Sequence, residues 1–251
     1  MKKSGAILIF LITLSEIYGQ YAPVVQAGSA QFNKLTSQNN GILLDVRTKS
    51  EFKNGHLPEA GNLNYYALDF RKKLILLPRN QPIYLYCNTG YRSEKAAEIL
   101  IENGYTDVYN LQHGIMEWEL LNLPVVVEPD ARPDTDNKMT SEQYHAILSS
   151  GTPVFFDFYA PWCGPCRKMM PMIDSLMVEY HPLIQMHKIN VDASKKLVKE
   201  LKLVGVPYLV LLDDGKVLFS KNGSASRNEL TTVFDRTLLN HTGSLVAEDK
   251  K

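Results

Sequence analysis

The sequence predicts an α/β chain made of two domains, a parallel-sheet domain followed by a second α/β domain, and three observations carry that prediction. At 251 residues the chain has room for about two domains of ordinary size. Short apolar runs at Ile42–Val46, Ile83–Tyr86 and Val154–Tyr159 alternate with helically spaced apolar residues such as Ala96, Ala97, Ile99, Leu100 and, later, Ile173, Leu176, Met177. Between the two halves, residues 123–136 hold three prolines and four acidic residues, the composition of a semi-extended linker. The expected boundaries are a first domain over 26–126, a linker over 127–138, a second domain over 139–242 and a flexible tail over 243–251.

The N-terminus precedes all of this. Lys2 and Lys3, the apolar run from Gly5 to Leu14, polar Ser15 and Glu16 and small Gly19 make a secretory signal peptide over 1–19. Its apolar core is short against the roughly 20 residues that a membrane span needs. The expected location is therefore exported, periplasmic or otherwise extracytoplasmic, with a membrane tether only if the signal is not cleaved. Lys plus Arg and Asp plus Glu are equal at 27 each, without a basic patch, so nucleic acid is not an expected partner. The six histidines show no HxxxH or CxxH spacing, so neither a metal nor a cofactor is expected. Outside the cytosol disulfides persist, and three cysteines cannot all pair.

In the first domain, Ala30, Phe32 and Leu35 behind a cap-prone Ser29 predict an opening helix. The run Gly41–Arg47 is a buried strand that ends in the charge pair Asp45 and Arg47. Thr48 and Glu51 form a capping box that starts a helix, which Gly55-His56-Leu57-Pro58 ends. Ile83–Tyr86 is a second buried strand, with Cys87 at its C-terminal end, where open α/β sheets place ligands. Cys87-Asn88-Thr89-Gly90-Tyr91-Arg92-Ser93 then leads into a helical pattern, and a strand, tight loop and helix N-terminus together make an anion cradle. Gly90 permits the close turn, and Arg92 binds an oxyanion or braces the loop. A thiol held there can carry a terminal sulfur as a persulfide anion. A tyrosine phosphatase loop has five residues between Cys and Arg; here there are four, too few to cradle phosphate.

Taken together, Asp45-Val46-Arg47, Glu51-Phe52, Gly55-His56-Leu57-Pro58, the Cys87–Ser93 loop and Trp118 resemble a single-domain rhodanese over roughly residues 26 to 126. The resemblance implies that Cys87 is the sulfur-accepting nucleophile and that Asn88, Thr89, Gly90, Tyr91 and Arg92 form its cradle. It implies further that Asp45, Arg47 and His56 brace the scaffold. One departure is Gln112-His113-Gly114, where that family often has a Gly-Gly pair; it is expected to lie away from the nucleophile. A rhodanese-like domain that only binds a partner remains the alternative.

In the second domain, Thr140 and Gln143 form a capping box for a helix facing a new core through Tyr144, Ile147 and Leu148. Val154-Phe155-Phe156-Asp157-Phe158-Tyr159 reads as a buried strand carrying one carboxylate, which is costly without work or a partner. Next comes Trp162-Cys163-Gly164-Pro165-Cys166, with Cys163 at a helix N-terminus and Cys166 one turn further in. The helix dipole favours a thiolate on Cys163, the attacking species in disulfide exchange, and Cys166 is placed to resolve the mixed disulfide. A zinc site needs about four ligands, more than three cysteines and scattered histidines supply. Beyond Pro207, Tyr208–Leu212 is a strand, Asp213-Asp214-Gly215-Lys216 a hairpin turn, Val217–Phe219 its partner, and Leu230, Val233, Phe234 and Leu238 mark a closing helix.

The stretch Asp157–Cys166 resembles the active-site segment of thioredoxin, a resemblance that covers roughly residues 139 to 242. Pro171 resembles the proline that kinks that family's active-site helix, and Gly223 its late glycine. Lys188–Asp192 resembles the next strand, whose lysine lies near the buried Asp157; Gly205-Val206-Pro207 resembles the segment carrying a cis-proline that faces the cysteines. The resemblance implies catalysis by Cys163, Cys166 and Asp157. It implies substrate docking at Trp162, Val206 and Pro207, with support from Gly164, Pro165 and Lys188. Tyr208 stands where threonine is usual, which bears on substrate preference. With Cys163 coupled to Cys166, Cys87 is left as a free thiol in an oxidising compartment, and such a thiol needs a reason.

The combined expectation is an exported protein-disulfide reductase coupled to a sulfurtransferase that handles persulfide sulfur at Cys87. Its expected partners are disulfide-containing proteins, a small sulfane-sulfur donor and a transmembrane thiol reductant. The rival reading is a non-catalytic, thiol-dependent adaptor or holdase.

Overall fold

The computed structural model describes residues 23–38 and 40–248, so the signal peptide expected over 1–19 lies outside the described residues. The first domain is built on strands β1 (Val25–Ala27), β2 (Ile42–Asp45), β3 (Gly61–Asn62), β4 (Ile83–Tyr86) and β5 (Val108–Leu111), in the order β1-β5-β4-β2-β3. Every pairing is parallel. Around the sheet run α1 (Ser29–Thr36), α2 (Lys49–Lys53), α3 (Phe70–Leu74), α4 (Tyr91–Glu102) and α5 (Gly114–Leu120). Both faces of the central strand are covered: Ile83 and Leu85 pack with Ala96, Ala97 and Leu100 of α4, while Tyr84 and Tyr86 pack with Phe32 and Trp118. Burial on both faces is why β4 reads as an unbroken apolar run rather than an alternating one. The capping box of α2 forms as the sequence predicts. Ser29 does not cap α1: the N-cap is Gly28, and the Ser29 hydroxyl instead donates to Glu117 Oε2 at 2.7 Å. The short edge strand β1 precedes that helix and was not anticipated, because three residues are too few to show a period.

The second domain holds α6 (Ser141–Leu148), β6 (Val154–Tyr159), α7 (Gly164–Tyr180), β7 (Gln185–Asn190), α8 (Lys195–Glu200), β8 (Tyr208–Asp213), β9 (Lys216–Asn222) and α9 (Arg227–Glu248). Its sheet runs β7-β6-β8-β9, with β7 parallel to β6, and β8 antiparallel to both β6 and β9. Phe156 and Phe158 face a cluster with Tyr144 of α6 and Leu197 of α8, whereas Phe155 faces Ile173 and Leu176 of α7 and Phe234 of α9. Burying each such ring contributes roughly 1.5–3 kcal/mol. The β8–β9 turn has Asp214 at φ 47° and Gly215 at φ 71°, the left-handed pair a two-residue hairpin requires. Helix α9 continues to Glu248, through residues expected to form a flexible tail.

The linker, read from the sequence as semi-extended, is a strap bonded to both domains. Trp118 Nε1 donates to Pro124 O at 2.9 Å, Val126 and His56 exchange backbone hydrogen bonds of 2.8 and 2.9 Å, and Glu128 N donates to Lys53 O at 2.9 Å. Lys53 also pairs with Asp130. At the other end Asn190 Nδ2 donates to Asp134 Oδ2 at 3.2 Å, and Asn137 Nδ2 to the Tyr159 hydroxyl at 2.6 Å. The domains also touch directly, through Lys195 and Glu119 at 2.6 Å and through Met116 of α5, which packs against the second domain's core.

Candidate functional site: two thiol centres and an interdomain cleft

The dithiol sits where β6 hands the chain to α7. Cys163 is the N-cap of that helix, its Sγ accepts the Cys166 N–H at 3.1 Å, and the two cysteines are joined as a disulfide. A sulfur in this position faces the unpaired amides of a helix N-terminus, which favours its anionic form once reduced. Gly164 and Pro165 occupy the first turn; Pro165 lacks an N–H there at no cost, because a first-turn amide has no partner within the helix. Pro171 lies inside α7. Val206–Pro207 is a cis peptide, and Val206 and Tyr208 pack in the same cluster as both cysteines.

On β6, Asp157 is 1% exposed, and its Oδ1 has no hydrogen-bond partner among the described residues. Burial pushes its carboxyl up to about 7; Lys188 opposes the shift and Asp174 adds to it. Lys188 lies directly across the strands from Asp157 but makes its ion pair with Asp174, at 2.6 Å. The lysine is thus shared rather than committed to Asp157.

Cys87 ends β4 as a buried free thiol. The following loop closes at Gly90, whose φ is +87° and where a Cβ would meet Gln112 O at 2.0 Å. Gly114 is equally constrained: at φ +64° its Cβ would lie 2.2 Å from Asn88 O and 2.5 Å from Cys87 O. Ile115 N and Met116 N donate to those two carbonyls at 2.9 and 3.1 Å. The Gln112-His113-Gly114 segment therefore lies against the nucleophile's own loop, not away from it as the sequence reading held. Contact across a sheet's C-terminal edge, between residues some 25 apart in sequence, leaves no local pattern to read.

A buried polar chain holds the loop from the other side. Arg47 bonds both Asp45 oxygens, the Asn88 Oδ1 at 3.1 Å and Gly55 O at 2.5 Å. Glu51 is the hub that sequence reasoning used only as a cap. Its carboxylate accepts from Thr48 N at 3.0 Å, from Asn88 Nδ2 at 2.7 Å and from Arg92 Nη2 at 2.7 Å. Burial alone would raise its pKa, but the Arg92 and Thr48 hydrogen bonds hold it below the usual carboxylate range. The signal that could have found it is a capping box in which one carboxylate oxygen suffices, leaving the other to reach across. Thr89 is half-buried in the loop and Tyr91 is exposed at the start of α4. His56 stacks on Phe52 at 3.8 Å and ties α2 to the strap, so it braces the linker as much as the cradle.

Residues next to both centres line one space, while the three cysteines themselves are buried. A cavity of about 790 Å³ between the domains is lined by Arg47, Glu51 and Asn88 from the first and by Trp162, Asp192 and Lys195 from the second. The Arg92 guanidinium carbon lies 5.7 Å from the centre of the Trp162 ring, and Trp162 Nε1 donates to Asp192 Oδ2 at 2.9 Å. Burial pushes Asp192 up to about 6, against the lowering effect of that hydrogen bond. Neither Asp192 nor Tyr66, whose ring lies 5.6 Å from the same guanidinium, stood out in the sequence.

Comparison with known proteins agrees with this geometry. Residues 136–236 match the Thioredoxin family and residues 29–121 the Rhodanese-like domain. Thioredoxin of Acidithiobacillus ferridurans is 34% identical over 92 residues, which is 37% of this chain and 85% of that protein. Thioredoxin 1 of Synechococcus elongatus is 30% identical over 92 residues, 37% of this chain and 86% of that one. The crystal structure of oxidised mitochondrial thioredoxin 3 from Saccharomyces cerevisiae is 29% identical, covers 39% of this chain and 90% of its own, and has a TM-score of 0.36. Fold and sites thus define a thiol oxidoreductase joined to a sulfurtransferase-like domain. The chain belongs to the thioredoxin family through its second domain and carries a rhodanese-like domain ahead of it.

Proposed function

We propose that this protein is an exported thiol–disulfide reductase in which a rhodanese-type centre at Cys87 collects sulfane sulfur and the Cys163–Cys166 dithiol discharges it. The observation that carries the reading is the contact of Arg92, from the Cys87 loop, with Trp162 of the redox motif, beside a cleft lined by residues of both domains. Export is supported by the 1–19 segment, and a reductase outside the cytosol needs an electron supply such as a transmembrane thiol reductant. The Gly-Pro pair between the cysteines supports a reducing potential near the thioredoxin value of about −270 mV.

The chemistry runs in two halves. The Cys87 thiolate attacks the outer sulfur of a small donor such as thiosulfate; the donor's S–S bond breaks, sulfite leaves with the electron pair, and Cys87 keeps a persulfide. The Cys163 thiolate then takes the terminal sulfur, restoring Cys87. Cys166, its proton accepted by Asp157, attacks Cys163 and closes the disulfide, releasing hydrosulfide. Two electrons pass from the dithiol to the sulfane sulfur, and the external reductant restores the dithiol. Disulfide-containing proteins are substrates of the same Cys163 when they reach it. Sulfur transfer and disulfide reduction measured on the full chain test this: Cys87→Ser should abolish only the first, and Cys163→Ser the second and the release of sulfide. Retention of either activity by its variant would overturn the assignment and leave the adaptor reading.

A further inference from the structure

We infer that Trp162, a residue of the redox motif, is also a positioning residue of the Cys87 centre, acting across the domain boundary through Arg92 on the binding of an anionic sulfane-sulfur donor. The inference rests on the reading of Cys87 as the sulfur acceptor.

Arg92 begins in the first domain and is completed by the second. Its guanidinium is 6% exposed as a residue, bonded to Glu51 through Nη1 at 3.3 Å and Nη2 at 2.7 Å. Those bonds take two of its five N–H groups. Burial works against the Arg92 charge, but the Glu51 carboxylate sustains it, and the same carboxylate holds Asn88, the residue after the nucleophile. A donor anion approaching Cys87 meets this cation. Two aromatic rings lie against it: Tyr66 at 5.6 Å, from its own domain, and Trp162 at 5.7 Å, from the other. Both are inside the roughly 6 Å at which a cation is held over a ring face. The Trp162 ring is itself fixed by its hydrogen bond to Asp192, and the strap and the Lys195–Glu119 pair fix the domain that carries it. Trp162 thereby limits water at the guanidinium and narrows its rotamers, so a donor anion meets an arginine already in place.

No covalent role falls to Trp162. In the half-reaction it serves, Cys87 takes the outer sulfur of thiosulfate and sulfite departs with the bonding pair. Arg92 holds the sulfonate end, and Trp162 holds Arg92.

The test uses the full chain with Cys163→Ser and Cys166→Ser, which removes the discharge step and leaves Cys87 to be loaded by thiosulfate. Loading is read as the rate of a one-sulfur mass gain on Cys87, and turnover as thiosulfate:cyanide sulfur transfer. Adding Trp162→Leu should raise the KM for thiosulfate about fivefold, the size of one partly desolvated cation–π contact, with a smaller effect on kcat. Trp162→Phe, which keeps a ring over Arg92, should restore most of the affinity; Trp162→Ala should resemble Leu, and the Leu–Phe contrast stands if Ala fails to fold. A KM unchanged within twofold in Leu, or equal losses in Leu and Phe, would overturn the inference while leaving Cys87 as acceptor. A parent chain that gains no sulfur at Cys87 would overturn the acceptor reading and this inference with it.

Discussion

Single residues set the energetics of both centres. Asp157 carries the clearest pH signature: with its carboxyl pushed up to about 7, the folded chain holds a proton that the unfolded chain has released above about pH 4. Because the folded state binds more protons in that window, stability falls as pH rises from about 4 to 7 and stays low above it. Asp157→Asn removes the titration, so the oxidised chain should gain about 2–4 kcal/mol at pH 8 and little at pH 4, as urea unfolding at the two pH values would measure. The same substitution should slow the attack of Cys166 on a mixed disulfide, because no carboxylate remains to take its proton; an unchanged rate would remove Asp157 from the mechanism. At the other centre, Gly114→Ala places a methyl 2.2 Å from the Asn88 carbonyl at a backbone angle that L residues avoid. The expected loss is about 2–3 kcal/mol in thermal unfolding, together with reduced sulfur loading at Cys87.

Elements then decide which of these residues were legible in the sequence. The helix starts at Thr48 and Thr140 were, since a capping box is a local pattern and both formed as read. Strands β4 and β6 were legible because burial on both faces writes an apolar run into the chain. Ser29 was misread because a serine before a helical run looks the same whether it caps or reaches 88 residues ahead to Glu117. The pairing of Lys188 with Asp174 on α7, the approach of Gly114 to Cys87 and the hub role of Glu51 are all contacts between elements, which no local pattern specifies. Helix α2 illustrates the point: the Glu51 carboxylate accepts from the Thr48 backbone through Oε2 and holds Arg92 chiefly through Oε1. Glu51→Gln separates the two functions, since glutamine still completes a capping box but leaves the buried Arg92 charge unpaired. The variant should lose about 3–5 kcal/mol, far more than the roughly 1 kcal/mol of a lost cap, as denaturant titration would report.

The arrangement of the whole molecule governs whether the centres act together. A free linker would let the domains meet at a millimolar-range effective concentration, whereas the strap over residues 124–137 and the Lys195–Glu119 pair hold them with the cleft already formed. Lys195 is half exposed, so this pair alone contributes little to stability, and its weight lies in orientation. Lys195→Glu would oppose two like charges across the boundary while replacing no cysteine. It should leave disulfide reduction by Cys163 near its original rate, while slowing the discharge of labelled Cys87 persulfide by its own dithiol more than the loading of Cys87. The slowing should ease at high salt, where the new repulsion between Glu119 and residue 195 is screened. Discharge measured on a chain loaded with labelled sulfur, at micromolar protein and at 0.05 and 0.5 M salt, decides the matter. First-order discharge that is independent of protein concentration in the parent, and slower in the variant only at low salt, is the expected result. Discharge that scales with protein concentration in both would mean that the sulfur passes between molecules and that the shared cleft does not carry it.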